Sequence, residues 1–513
     1  MNSDTLFSVL PEATCSGNKP ASIKLMTDDS RKIVANSCYI AVRGSQFDGH
    51  SAIDTAIADG AIAIVAESSP TELAQSQGIY WVQVPDTHQI NGLLMSAWNG
   101  NPSEQMIMLG ITGTNGKTTI SYLANHILRQ AWQRAGLIGT IITDNGQSRS
   151  KSHNTTPGAA ELQETFATML KNGCRAVAME VSSHALSQGR CIGTNFNVGV
   201  FTNLTQDHLD YHGDMENYYQ SKRELFYQMA AKGNRKAVAI INHDDEYGRR
   251  LIEELRPLMK VRSFGLNEGA DMRAIPSICS LKGSQFELQY QGKSYLVRTP
   301  LIGNFNISNS LAAIAACTAA GITMRDAINS LAQAPQVPGR MELVSSVDNV
   351  QCFVDYAHTP DALQNVCSTM KSLCRNGRFI TIFGCGGDRD SKKRPLMGAA
   401  AAEYSDLCIV TSDNPRSEEP EAIIRDILPG IPTSKQHVIV DRAEAIAAAL
   451  QTAKPGDVVL IAGKGHEDYQ ILAEETIFFS DSAEVNKYYR AKNPDGFSVP
   501  ATKPRGGRPA QDR

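Results

Sequence analysis

The sequence predicts an α/β protein of three domains, each a sheet covered by helices. Three observations predict it. Apolar runs of strand length alternate with amphipathic helical stretches along nearly the whole chain, the pattern of parallel strands connected through helices. One of those runs passes straight into a glycine-rich loop and a helix, at Gly113-Thr114-Asn115-Gly116-Lys117-Thr118. The length, 513 residues, exceeds what one core organises, since a domain takes about 150 residues.

In the first domain, residues 1–88, apolar runs at Cys38 to Val42, Ala61 to Ala66 and Tyr80 to Val84 flank a helical stretch around Ser51 to Asp59. The second domain, 89–337, opens with the strand Met106 to Ile111; behind its glycine loop Ile120, Leu123, Ile127, Leu128 and Trp132 recur at helical spacing. Strands at Arg175 to Val181, Asn197 to Asn203 and Lys236 to Asn242 extend a mostly parallel sheet. Alternation from Phe286 to Val297 about a Gln-Gly-Lys turn predicts an antiparallel ribbon, and an alanine-rich helix follows over Ser308 to Ala320. After Val337-Pro338-Gly339-Arg340 the rhythm restarts, with strands at Arg378 to Phe383, Leu407 to Thr411 and Val458 to Ala462. This third domain, 338–495, is expected to be a second doubly wound sheet. Residues 496–513, rich in Pro, Gly and positive charge without apolar periodicity, read as a disordered tail.

Hydrophobic residues make up 42% and charged residues 20%, which excludes wholesale disorder, collagen and coiled coil. The net charge of −4 leaves no basic field to recruit nucleic acid or an anionic membrane, so anionic ligands must be held locally. Eleven cysteines without a C-x-x-C pair point to reduced thiols rather than a disulfide framework or a zinc cluster. No uncharged apolar run of about 18 residues occurs. The expectation is a cytoplasmic protein acting on small molecules.

Gly113, Thr114, Asn115 and Gly116 between strand and helix can cradle phosphate oxygens with backbone N–H groups. Lys117 would meet the β/γ-phosphates and the Thr118 hydroxyl, beside Thr119, would ligate Mg²⁺. The loop departs from G-x-x-x-x-G-K-[ST] in carrying Ile111 where that pattern has glycine. Glu180 ends a strand and offers the metal a carboxylate. Asn203-Leu204-Thr205-Gln206-Asp207-His208-Leu209-Asp210 gathers acids and imidazole beyond the next strand. Taken singly, His208 reads as an ordinary histidine and Lys222 as a solvated lysine.

Together GTNGKT, EVSSH, DHLDYHG, GNFNISNSLAA, PGRME and DYAHTP resemble the Mur ligases, the ATP-dependent amide-forming enzymes of peptidoglycan synthesis. The likeness runs from about residue 22 to residue 490 with the motifs in order. Within the family, SDNPRSEEP and GKGHEDYQ are similar to the members that add 2,6-diaminopimelate to a UDP-N-acetylmuramoyl dipeptide. The resemblance implies a UDP-sugar domain, a central phosphate-loop ATPase domain and a C-terminal Rossmann-like domain for the amino acid. It implies ATP, two Mg²⁺ ions and an N6-carboxylated Lys222 that ligates metal beside His208. A monomer is expected. Asn306, Asn309, Arg340 and Asp355 would complete the ATP site. Asn154, Thr155, Thr156, Ser182, Gln188 and Arg190, with Ser30, Ser45, Gln46 and Phe47 at the uridine end, would hold the nucleotide sugar. Arg389, Asp413, Asn414, Pro415, Arg416, Gly463 and Glu467 would hold diaminopimelate, Arg416 gripping the distal carboxylate and Glu467 the distal ammonium.

Gly384, Gly386 and Gly387 could suggest a dinucleotide loop, but a lone glycine cluster is weak and NAD is not expected. Two other enzyme readings are a lysine-adding ligase and a folylpolyglutamate-type ligase. A reading of another class, a nucleotide-dependent switch, lacks an N-K-x-D guanine-reading motif.

Overall fold

The computed structural model describes residues 3–10, 12–44 and 47–492. The expected contacts Ser45 and Gln46 and the expected tail 496–513 lie outside them. Two compact units divide the chain: the first takes in residues 1–275, 287–297 and 308–334, the second 276–286, 298–307 and 335–513.

The first unit holds a five-stranded sheet in the order Thr14–Ser16, Tyr80–Gln83, Ala61–Ala66, Ser37–Ile40, Leu25–Thr27. Only Thr14–Ser16 runs antiparallel. The first expected strands and helix are thus present within a residue or two. Helix Thr87–Trp98 buries Leu94 and Met95 in this sheet's core. A Cβ on its Gly92 would meet the Ile192 carbonyl oxygen at 2.1 Å, so this helix also lies against the central segment of the same unit.

The central sheet runs Val238–Asn242, Val198–Phe201, Ile107–Thr112, Ala176–Glu180, Ala135–Ile138 through its parallel heart. Register decides what this sheet can do. Ile111 lies beside Glu180 on one side and Val200 on the other, so Gly113, the Glu180 side chain and Asn203 leave one sheet edge together. The expected ribbon is present as Gly283–Tyr290 and Lys293–Thr299, turning at Gln291 and Gly292, both with positive φ. The division between the units passes through this ribbon and through helix Asn304–Ala319.

The second unit contains a six-stranded sheet ordered Glu342–Val347, Val350–Asp355, Val458–Ala462, Phe379–Phe383, Leu407–Val410, Gln436–Val438. All its pairs are parallel except the first. Both faces are covered. Phe353, Phe379, Phe383 and Leu460 pack on one side and Val354, Ile380, Ile382 and Ile461 on the other, which is why these strands read as continuous apolar runs. Strands Ala135–Ile138, Lys260–Gly265 and Val350–Asp355 were not expected. Ala-Gly-Leu-Ile is too short and small-residued to announce itself, and its stability comes from its neighbours.

Candidate active site

The glycine loop owes its shape to close backbone approach. Gly113 has φ 143° and a Cβ there would meet Thr202 Oγ1 at 1.8 Å; Gly116 has φ 90° and a Cβ would meet Asn309 Oδ1 at 2.5 Å. No side chain fits at Gly113, and at Gly116 the positive φ disfavours one and the Asn309 amide would have to move. Asn203 Oδ1 accepts the Asn115 backbone N–H (2.9 Å) and Thr202 Oγ1 donates to the Asn115 carbonyl (2.6 Å), fixing the loop from the neighbouring strand. Helix Lys117–Trp132 starts immediately after it, presenting its N-terminus to the loop. Lys117 Nζ donates to the Gly113 and Thr114 carbonyl oxygens at 2.9 and 2.8 Å.

Thr118 Oγ1 donates to Glu180 Oε2 at 3.0 Å, both residues being buried. Thr140, absent from the sequence expectations, also serves Glu180, through its N–H (2.8 Å) and its hydroxyl (3.0 Å). An oxygen-only set of hydroxyl and carboxylate suits a hard cation such as Mg²⁺. Among the described residues, no group of three or more His, Cys, Asp and Glu side chains forms a metal centre by itself.

Lys222 departs from the solvated reading. It is only 1% exposed, its Nζ donates to the Gly113 carbonyl at 2.8 Å and sits 4.4 Å from the Tyr218 ring centre. Burial, then the charge of Lys117, pushes the amine well below the usual lysine range, with Asp207 opposing. Tyr218 OH meets Thr114 Oγ1 at 3.2 Å, and His212 stacks on the Tyr218 ring. His208 takes a left-handed backbone, φ 54°, an uncommon conformation outside glycine that concentrates at functional positions. Its Nε2 lies 3.4 Å from Asp207 Oδ2 and its ring edge faces His184. Desolvation holds the His208 imidazole below its usual range against Asp207; with 46% of the side chain exposed, solvent offsets part of that effect.

The expected sugar-peptide residues divide. Thr156 Oγ1 donates to the Glu180 carbonyl (2.8 Å) and receives the Ser182 N–H (3.1 Å), while Thr155 Oγ1 meets Thr140 Oγ1 at 3.1 Å. Arg190 donates to Gln188 Oε1 and to the Thr156 carbonyl. These residues therefore form one network with Glu180. Asn154 is exposed, and Ser30 and Phe47 lie in the N-terminal sheet segment, Phe47 58% exposed.

In the second unit Asn306 Nδ2 donates to the Ile302 carbonyl at 2.9 Å. Asp355 accepts the Met341 and Ala357 N–H groups (2.7 and 2.8 Å), yet burial pushes its carboxyl up, with Arg340 opposing. The Arg340 guanidinium lies over the Tyr356 ring at 4.4 Å. Register then brings Asp355, Ala462, Phe383 and Val410 to one edge, where the amino-acid residues collect. Asn414 Nδ2 donates to Glu467 Oε2 at 2.9 Å; Asp413 Oδ2 would lie 2.6 Å from a Cβ on Gly463. Arg416 has φ 53° and donates to the Gly387 and Asn414 carbonyls at 2.8 and 3.4 Å. It does not pair with Glu418, which belongs to Arg394 at 2.8 Å. Arg389 donates to its neighbour's carbonyl, Asp388 O. Pro415 closes against the glycine cluster: a Cβ on Gly387 would meet its carbonyl oxygen at 1.9 Å. Behind this edge Arg442, fully buried, forms a two-point ion pair with Asp481 (2.7 and 2.9 Å) and donates to the Ala462 carbonyl. Sequence spacing did not single out Arg442 or Lys464.

The chain is similar to known proteins over most of its length. Residues 22–99 match the Mur ligase family catalytic domain, 111–317 the Mur ligase middle domain and 339–465 the Mur ligase glutamate ligase domain. The chain is 44% identical over 467 residues to a UDP-N-acetylmuramoyl-L-alanyl-D-glutamate–2,6-diaminopimelate ligase of Solibacter usitatus, covering 90% of this chain and 93% of that one. It is 42% identical over 486 residues to the enzyme of the same name from Geobacillus kaustophilus, covering 93% and 97%. A solved structure of a ligase with that name superimposes with a TM-score of 0.69 at 33% identity, covering 95% of this chain and 99% of the other.

Proposed function

This chain belongs to the Mur ligase family, and from that premise we propose that it is an ATP-dependent amide ligase. It joins meso-2,6-diaminopimelate to the D-glutamate of UDP-N-acetylmuramoyl-L-alanyl-D-glutamate, releasing ADP and phosphate, in the synthesis of peptidoglycan precursors. The observation that carries the reading is the presence of two differently built strand-edge sites. One is a glycine loop with Thr118 hydrogen-bonded to Glu180; the other presents Asn414, Arg416 and Glu467. A phosphate-handling site and a zwitterion-handling site are what such a ligase needs. The segments 1–88, 89–337 and 338–495 serve the nucleotide sugar, ATP and the amino acid respectively.

The D-glutamate carboxylate attacks the γ-phosphorus of ATP, forming an acyl phosphate and expelling ADP. Two anions must meet, so the task of the chain is positioning and charge neutralisation. The loop N–H groups and the helix N-terminus before Thr118 hold the phosphates, and Lys117 leaves the loop carbonyls for the β/γ oxygens. Mg²⁺, held by Thr118 and Glu180 and at a second position by His208 and carboxylated Lys222, supplies Lewis-acid neutralisation when bound. Burial that favours the neutral amine of Lys222 supports its carboxylation, because only an unprotonated amine adds to carbon dioxide. Thr155, Thr156, Ser182, Gln188 and Arg190, with Asn154, orient the muramoyl peptide, while Ser30, Ser45, Gln46 and Phe47 receive uridine. Asn306, Asn309, Arg340 and Asp355 complete the nucleotide contacts. The amine of diaminopimelate then attacks the acyl carbon and phosphate leaves. Arg416 grips the distal carboxylate and Glu467 the distal ammonium, with Arg389, Asp413, Pro415 and Gly463 shaping the pocket.

No helix among the described residues is long and apolar enough to cross a membrane. We assign the enzyme to the cytoplasm, where its nucleotide substrates are made, and as a monomer. The mechanism is tested by labelling the D-glutamate carboxylate with ¹⁸O. One labelled oxygen is expected in the released phosphate; phosphate free of label would overturn the acyl-phosphate route.

A further inference from the structure

The sequence GKGHEDYQ contains a lysine that the ligase reading leaves without a role. Lys464 is fully buried, 0% exposed. Its Nζ donates to Asn414 Oδ1 at 3.0 Å and lies 3.2 Å from Glu467 Oε2. Both are residues of the acceptor edge.

The arrangement fixes which way Asn414 faces. An amide side chain has an accepting oxygen and a donating nitrogen, and only its partners decide their placement. Asn414 Oδ1 receives two donors, Lys464 Nζ and the Ile471 N–H, each at 3.0 Å. That leaves Nδ2 to donate to Glu467 Oε2 at 2.9 Å. Glu467, whose side chain is 13% exposed, is held on one oxygen by both Lys464 and Asn414. The surrounding backbone is secured independently of Lys464: Gln470 Nε2 donates to the Asp413 carbonyl (2.7 Å) and the Arg416 N–H to the Ile471 carbonyl (3.1 Å).

We propose that Lys464 is a positioning residue for acceptor choice, locking the Asn414 amide and the Glu467 carboxylate in the pose that reads the distal centre of the incoming amino acid. The inference rests on the ligase reading and adds to it a determinant that acts through Asn414 and Glu467. Removing Nζ leaves Asn414 with one donor on Oδ1 and frees the amide to turn. It also leaves Glu467 without its cation. Arg416 itself donates to the Asn414 carbonyl, so the loss falls hardest on the acceptor whose distal centre carries the carboxylate that Arg416 grips, and less on L-lysine, which carries the distal ammonium alone.

The test compares meso-diaminopimelate with L-lysine as acceptor in wild type, Lys464→Met and Lys464→Gln, alongside KM for ATP and the melting temperature. Lys464→Met keeps the apolar stem, and Lys464→Gln keeps a donor that can partly restore Asn414. The preference for diaminopimelate, as a ratio of kcat/KM, is expected to fall about tenfold in Lys464→Met through KM for diaminopimelate. KM for ATP stays unchanged and Lys464→Gln is intermediate. A parallel fall for both acceptors, an equal shift in KM for ATP, or failure of both variants to fold would make Lys464 merely structural and overturn the proposal. Wild type that uses neither acceptor would instead remove the ligase reading, before any variant is made.

Discussion

Two glycine-rich turns at strand ends look alike in sequence and do different work. Gly113 and Gly116 bend with positive φ and lead directly into helix Lys117–Trp132, so a helix N-terminus faces whatever the loop cradles. Gly384, Gly386 and Gly387 lie without positive φ against another loop: Cβ atoms there would meet the Thr411 carbonyl oxygen at 2.3 Å, Arg416 Nη1 at 2.9 Å and the Pro415 carbonyl oxygen at 1.9 Å. The second cluster makes room for the Asp413–Arg416 segment, and helix Lys393–Tyr404 begins only later. The same residue type shapes a loop at a helix N-terminus, where we propose that the phosphates bind, in one case and serves packing in the other. What separates them is whether a helix starts at the last glycine. The two regions also treat charge differently. Lys222 is pushed toward its neutral form beside the first loop, whereas the second region buries Arg442 as an ion pair with Asp481.

The sharpest way to break this comparison is Gly113→Ala. With its Cβ driven into Thr202, ATP-dependent turnover is expected to fall about 10³-fold, roughly 4 kcal/mol of transition-state stabilisation, measured as ADP release. Gly386→Ala should spare ATP use, because its Cβ meets only the movable end of Arg416. Asp481→Ala strands the buried Arg442 guanidinium, and urea unfolding should show a loss of about 3 to 5 kcal/mol. Arg416→Ala should raise KM for diaminopimelate about 10- to 100-fold with KM for ATP unchanged, by loss of a bidentate carboxylate contact; equal shifts in both would dissolve the distinction between the sites.

The smallest expected effect is a pH dependence in the first region. Burial, ahead of the charge of His184, depresses the folded pKa of His212 to about 4, below the ordinary histidine value near 6.5. Between those values the unfolded chain binds more protons, so stability rises with pH and is lost as pH falls from about 6.5 toward 4. In His212→Asn the acid unfolding midpoint should shift downward by about half a pH unit relative to the variant's own neutral stability.

Much of this was legible before folding. The strand ending at Glu180 and the loop after Ile111 announced their shared edge because parallel strands deliver side chains there. The burial of Lys222 runs against its solvated reading, although Tyr218, Lys222, Leu225, Phe226 and Met229 share one helical face and all are buried; that spacing carries the signal. Thr140 follows a four-residue strand with no marked pattern, so its service to Glu180 depends on tertiary placement alone. Arg442 and Asp481 are 39 residues apart, and no local periodicity pairs them.

The most direct test of the central claim is release of ADP and phosphate with UDP-N-acetylmuramoyl-L-alanyl-D-glutamate, comparing meso-diaminopimelate, L-lysine and no amino acid. Turnover that requires diaminopimelate is the predicted result. Turnover with lysine as efficient as with diaminopimelate would contradict the role given to Arg416, and no turnover with either would contradict the ligase assignment itself.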